Sequence, residues 1–190
     1  KYKNILKMIN IKNSSDISNI NNLIFYSAGV ISQVFERSSG HGRFARIQIS
    51  DTKGIYVVTA YSEIFSLKRN LLVSGNTLLF QLSLVEDSSG SKNIIAKDFW
   101  NLDDKLDKLI NGYVIRINSN VDIGKVKFLL TTKKSTENIH KKITFLVPVD
   151  NESEAVINTY ENIKFDLKTI SELSLLPGII DVSPVISDNL

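Results

Sequence analysis

From Leu23 to Phe35 apolar residues alternate with polar ones, the period-2 pattern of a strand with one buried face. Ser38-Ser39-Gly40-His41-Gly42 then supplies a turn, and alternation resumes over about 43 to 50. A third run at about 55 to 60 follows the turn Asp51-Thr52-Lys53-Gly54. Tyr61, Ile64, Phe65, Leu67 and Leu71 fall at near-helical spacing, which predicts a helix over 61–72 that Val73-Ser74-Gly75-Asn76 ends. Thr77 to Glu86 and Lys92 to Asp98 read as a hairpin around Asp87-Ser88-Ser89-Gly90-Ser91. Five strands with a helix between the third and the fourth is the order of an OB-fold barrel. The second half has another rhythm: strand 113–118, helix 121–132, strand 143–149, strand 154–159, helix 166–175, strand 179–182. The predicted fold class is therefore mixed β and α+β, a five-stranded OB-fold barrel followed by a small split β-α-β-β-α-β domain. Residues 1–22, with an amphipathic piece at Tyr2, Ile5, Leu6, Met8 and Ile9, read as a lead-in helix and linker; 23–98 is the OB-fold domain and 99–190 the C-terminal domain, entered through a connecting helix at about 102–110.

Strand geometry sorts the candidate binding residues. Over Arg43 to Ser50, alternation sends Ala45, Ile47 and Ile49 inward and leaves Phe44, Arg46 and Gln48 on the other face. An outward aromatic beside an arginine suits single-stranded nucleic acid, because bases stack on flat side chains while guanidinium groups meet phosphates. The expected DNA-binding set is Arg37, Arg43, Phe44, Arg46, Gln48 and Tyr56. The third strand has two possible registers: either Tyr56 and Val58 share the binding face, or Ile55, Val57 and Thr59 do. The purely structural alternative packs Phe44 under the lead-in helix and pairs Arg46 with a carboxylate.

Charge changes this picture little. The 190 residues carry a formal net charge of +3, with lysines scattered among carboxylates, so a weak basic bias modestly favours phosphate contact. In the turn after the first strand, Arg37 and Arg43 are the fixed cations and Glu36 opposes them. With no cysteine, disulfides and thiolate metal sites are excluded. Only His41 and His140 are histidines, and neither lies at metal-ligand spacing. Asp103-Asp104 cannot easily share one metal, since neighbours on a helix point about 100° apart; they fit a helix start. No Gly-x-Ser-x-Gly elbow and no phosphate-binding Gly-x-x-x-x-Gly-Lys loop occurs. These absences predict a binding module without an active site or cofactor. No run approaches the ~18 apolar residues of a membrane helix, and the first residues lack both an initiating Met and a signal-peptide pattern. The expectation is a soluble cytoplasmic protein, excised from a longer chain, with no membrane partner.

The order of residues resembles the OB domain near the C-terminus of the bacterial DNA polymerase III alpha subunit family. Ala28-Gly29-Val30-Ile31 is similar to its first strand, and Arg43-Phe44-Ala45 with Ile47-Gln48-Ile49-Ser50-Asp51 to the second strand and its acidic turn. Tyr61-Ser62-Glu63-Ile64-Phe65 is similar to the Phe-x-Glu-x-Phe-like segment that follows the third. Lys142 to Val149, Ser153 to Thr159, and the stretch from Phe165 through Pro177-Gly178 to Val182 resemble the small domain that closes such chains. The resemblance implies DNA replication: an OB domain on single-stranded template, and a last domain that docks the tau subunit of the clamp loader. For that contact the candidates are Val185, Ile186 and Leu190, expected beyond the final strand. It also implies that the nucleotidyltransferase carboxylates, their magnesium and the sliding-clamp contact belong to other parts of the parent polymerase. A free-standing OB-fold protein that binds RNA or DNA, and a module that only binds protein, are the alternatives.

Overall fold

A computed structural model of the chain describes residues 3–17, 19–20, 24–40, 42–87, 90–132, 141–150, 152–161 and 167–187. Two compact units divide the chain, residues 2–105 and 106–190, and each has its own sheet.

The first unit contains α1 (Lys3–Met8), α2 (Ser14–Ile17), β1 (Phe25–Ser39), β2 (Gly42–Ser50), β3 (Ile55–Ala60), α3 (Ser62–Lys68) with a 3-10 turn at Arg69–Leu71, β4 (Thr77–Glu86) and β5 (Lys92–Asn101). The strands close into a ring in the order β1-β2-β3-β5-β4. β1 is long because it serves two neighbours: Phe25 to Val30 pair with β4, and Val30 to Ser39 pair with β2. At Gly29 the two pairings meet, and a Cβ there would lie 2.5 Å from the Ile49 side chain and 2.7 Å from the Ser50 carbonyl. Glycine is the residue that permits this approach. Inside the ring, Ile31, Ala45, Ile47, Ile49, Val58, Ala60, Leu78, Phe80, Leu82 and Phe99 are buried, with the Phe80 and Phe99 rings 5.7 Å apart.

The segment ahead of β1 is fastened to this unit. Ile5, Ile9 and Ile17 are buried, and Asn10, at φ 54°, ends α1 in the left-handed region. The polar stretch 13–19, read from sequence as linker, includes α2, because Asp51 holds it: its carboxylate accepts from the Ser14 backbone N–H (2.6 Å) and hydroxyl (2.8 Å), as well as from the amides of Lys53 and Gly54. At the other end of the unit, β5 continues to Asn101 instead of stopping at Asp98.

The second unit takes in the end of α4 (Leu102–Leu109), then β6 (Ile110–Ile117), α5 (Ile123–Thr132), β7 (Lys141–Pro148), β8 (Glu154–Glu161), α6 (Leu167–Ser174) and β9 (Ile179–Ile186). From β6 onward the chain order is strand, helix, strand, strand, helix, strand, as the periodicity suggests. The sheet order, β8-β7-β6-β9, corrects the split arrangement. A split unit would leave a strand between β6 and β7, whereas these two are hydrogen-bonded parallel neighbours. Gly112 makes their close approach possible, since a Cβ there would meet the Lys142 carbonyl oxygen at 2.1 Å. Lys141, at the start of β7, is buried with its ammonium on the Asp107 carboxylate and, at 3.1 Å, on the Asp107 carbonyl. Gly178, at φ 84°, turns α6 into β9 where a Cβ would lie 2.3 Å from the Val121 backbone.

Candidate nucleic-acid interface

Register decides which side chains face outward. Across β2 and β3 the pairs are Ala45 with Ala60, Ile47 with Val58 and Ile49 with Tyr56. Directly opposed residues share a face, so Tyr56 belongs with the fully buried Ile47 and Ile49. Its hydroxyl lies 2.7 Å from the Ser27 hydroxyl, which in turn donates to the Lys12 carbonyl at 2.8 Å. Burial pushes the phenol pKa well above its ordinary value, the Ser27 hydrogen bond opposes this, and the nearby Asp51 charge adds to it. Tyr56 is therefore removed from the expected DNA-binding set; Ile55, Val57 and Thr59 occupy the outer face of β3.

On that outer face the rows run across two or three strands. Arg37 stands opposite Phe44. One row on, Phe35 stands opposite Arg46, and Arg46 opposite Thr59. The next row is Gln33, Gln48 and Val57. Opposed side chains have Cβ atoms about 4.5–5.5 Å apart, so each of the first two rows sets one aromatic beside one arginine, on alternate strands. Tyr61, which caps α3, lies with its ring centroid 6.3 Å from that of Phe44 and the planes tilted by 43°. Phe35 is 46% exposed and Tyr61 52%. Arg37 and Arg46 are exposed and have no ion-pair partner among the described residues.

Sequence reasoning missed Phe35, Gln33 and Tyr61. In the apolar positions Val30, Ile31, Val34 and Phe35, simple alternation cannot say which pair lies inside. A bulge between Ile31 and Gln33 settles it: Ile31 and Val34 lie opposite the buried Ile49 and Ile47, and Phe35 turns out.

Arg43 leaves the set that includes Phe44. It has the parity of Ala45, and its guanidinium lies 2.8 Å from the Glu36 carboxylate, which also takes Arg69 through Nε at 2.9 Å. Thus Arg37, Phe44, Arg46 and Gln48 converge on one face, Arg43 goes to the rim behind it, and Tyr56 goes to the core. His41, His140 and Leu190 lie outside the described residues. Val185 and Ile186 sit within β9 instead of beyond it, opposite Gly112 and Ile110 of β6; Val185 is exposed and Ile186 half-buried. Among the described residues, no group of three or more His, Asp or Glu side chains gathers to hold a metal, and no helix is long and apolar enough to cross a membrane.

By fold the chain is a mixed, sheet-rich protein of two units, the first a closed ring of five strands with aromatic and cationic side chains on one outer face. By sequence it is similar to the DNA polymerase III subunit alpha of Rickettsia bellii, 27% identical over 167 residues that take in 76% of this chain. The chain spans 14% of the length of that relative. No protein-family model matches it. Among solved structures it is similar to the small single-stranded DNA-binding protein of Streptomyces coelicolor, at 15% identity and a TM-score of 0.35, over 43% of this chain and 94% of that one. It is also similar to the mitochondrial single-stranded DNA binding protein Rim1 of S. cerevisiae, at 16% identity and 0.37, over 44% and 96%.

Proposed function

We propose that this chain is a DNA-replication segment of the polymerase III alpha type, whose first unit is an OB-type barrel that holds single-stranded DNA on the outer face of β1, β2 and β3. The observation that carries this reading is the pairing of aromatic and arginine in successive rows: Arg37 with Phe44, Phe35 with Arg46. Two bases stack on the phenyl rings, the unpaired guanidinium groups take the adjacent phosphates, and Tyr61 extends the aromatic surface. The alignment with a polymerase III alpha subunit supports the replication context. Polymerisation itself, with its carboxylates, magnesium and sliding-clamp contact, belongs to the rest of such a polymerase in the cytoplasm. The second unit docks the clamp-loader tau subunit, and the exposed Val185 on the edge strand β9 offers an apolar contact, with Ile186 beside it.

The test is fluorescence anisotropy of a labelled single-stranded oligonucleotide across a salt series. Saturable binding is expected to weaken with salt, and Arg37→Gln with Arg46→Gln to flatten the slope of log K against log salt by about 1.4, which is two phosphates at about 0.7 each. No binding at low salt sinks the DNA reading and leaves a protein-binding module. For the second unit, Val185→Asp should abolish capture of purified tau; unchanged capture rejects that surface.

A further inference from the structure

Glu36, Arg43 and Arg69 form a cluster that the DNA-binding face does not use. Arg69, from the turn after α3, meets the Glu36 carboxylate as a fork, Nε to Oε1 at 2.9 Å and Nη2 to Oε2 at 3.1 Å. Arg43, from β2, adds a contact to Oε2 at 2.8 Å. One carboxylate thus neutralises one of two guanidinium groups, and the cluster keeps an excess positive charge. Both arginine side chains are more than half exposed, so these ion pairs contribute little to stability and the carboxylate can be exchanged for another anion. Arg69 has a second contact besides Glu36, its guanidinium carbon 5.9 Å from the ring centroid of the buried Phe65. A guanidinium fork that matches a carboxylate also matches a phosphate.

The geometry points to a two-arginine seat for a phosphate of the nucleic-acid backbone, with Glu36 as its built-in occupant. Arg37 and Phe44 form the last outer-face row before the β1–β2 hairpin, and Glu36 and Arg43 are their chain neighbours on the opposite parity, so a strand that follows the outer face past that row reaches the seat only by turning over the hairpin rim. The identity of the ligand rests on the single-stranded DNA reading; the seat does not. Glu36 then acts as a brake, and strand binding must displace it to recruit Arg43 and Arg69.

The decisive experiment uses the full chain and Glu36→Gln, with Glu86→Gln as a control for net charge, since Glu86 is an exposed residue at the end of β4. In Glu36→Gln, inorganic phosphate should move the Arg69 Nε–H signal in a nitrogen–proton NMR spectrum at lower concentration than in wild type. The same variant should bind a single-stranded oligonucleotide several-fold tighter at low salt, with a log–log salt slope steeper by about 0.7 to 1.4. Adding Arg69→Gln should remove that gain. An Arg69 signal that phosphate leaves unmoved in Glu36→Gln overturns the seat, as does an equal gain in Glu86→Gln. If phosphate moves Arg69 while no variant binds the oligonucleotide, the seat stands and the DNA reading falls.

Discussion

The two faces of β2 obey different rules over the same nine residues. On the inner face Ala45, Ile47 and Ile49 are fully buried, opposite side chains that fill the ring and leave no room for change. On the outer face Phe44 and Gln48 are half-buried and Arg46 is exposed, opposite another aromatic, another arginine and another glutamine. A closed ring has a fixed interior volume, so its inner residues are limited by size; outer residues are free of that demand, and a group of aromatics there, Phe35, Phe44 and Tyr61, calls for another explanation. The sharpest break between the faces is Ile47→Ala, which should cost about 2–5 kcal/mol of stability. Urea unfolding followed by Trp100, the one tryptophan and a residue of β5 in the same unit, measures it. A loss below ~1 kcal/mol would mean that the interior collapses around the gap.

Outer-face substitutions should show the reverse pattern. Phe35→Ala and Phe44→Ala are each expected to weaken single-stranded DNA binding by about 1–3 kcal/mol, one stacked base apiece, while the urea midpoint moves little. If both variants bind as wild type does, the aromatic rows serve something other than bases.

Tyr56 shows where the sequence stopped being informative. The alternation of β2 is legible because Ala45, Ile47 and Ile49 are separated by polar or aromatic residues, and it correctly assigned the inside and outside of that strand. In β3 the run Ile55-Tyr56-Val57-Val58 is apolar throughout, so pattern alone leaves both registers open and pairing with β2 decides. Phe35 is not legible as an outer residue because a bulge has no residue signature in this stretch, and Arg43 separates from Phe44 because adjacent strand residues point to opposite faces. In the second unit the element order was legible from periodicity, but sheet order was not, because the parallel contact of β6 with β7 depends on one glycine. Tyr56→Phe tests the register directly: it deletes the hydroxyl bonded to Ser27, and a cost of about 1 kcal/mol is expected with DNA affinity unchanged. A loss of affinity at unchanged stability would return Tyr56 to the binding face.

The smallest effect concerns Asp51, which ties the segment ahead of β1 to the turn between β2 and β3. Partial burial alone would raise its pKa, but the Ser14 and Lys53 backbone amides, the Ser14 hydroxyl and the Gly54 amide outweigh it and hold the carboxyl below its ordinary 3.8. Because the folded state binds this proton less readily than the unfolded chain, Asp51 contributes stability that is complete above the unfolded pKa. That contribution falls as pH drops below about 4 and is gone once the folded carboxyl is protonated. Comparing wild type with Asp51→Asn isolates it from Asp122 and Asp150, whose pKa values are also lowered. The gap in urea midpoint between the two proteins should be widest near neutral pH and narrow towards pH 3. Amide hydrogen exchange at Ser14 should quicken in the variant at neutral pH, before the ring strands respond. A gap that stays constant across the series would show that Asp51 acts by shape and not by charge, and that the hold on α2 is the same whether or not the carboxyl is ionised.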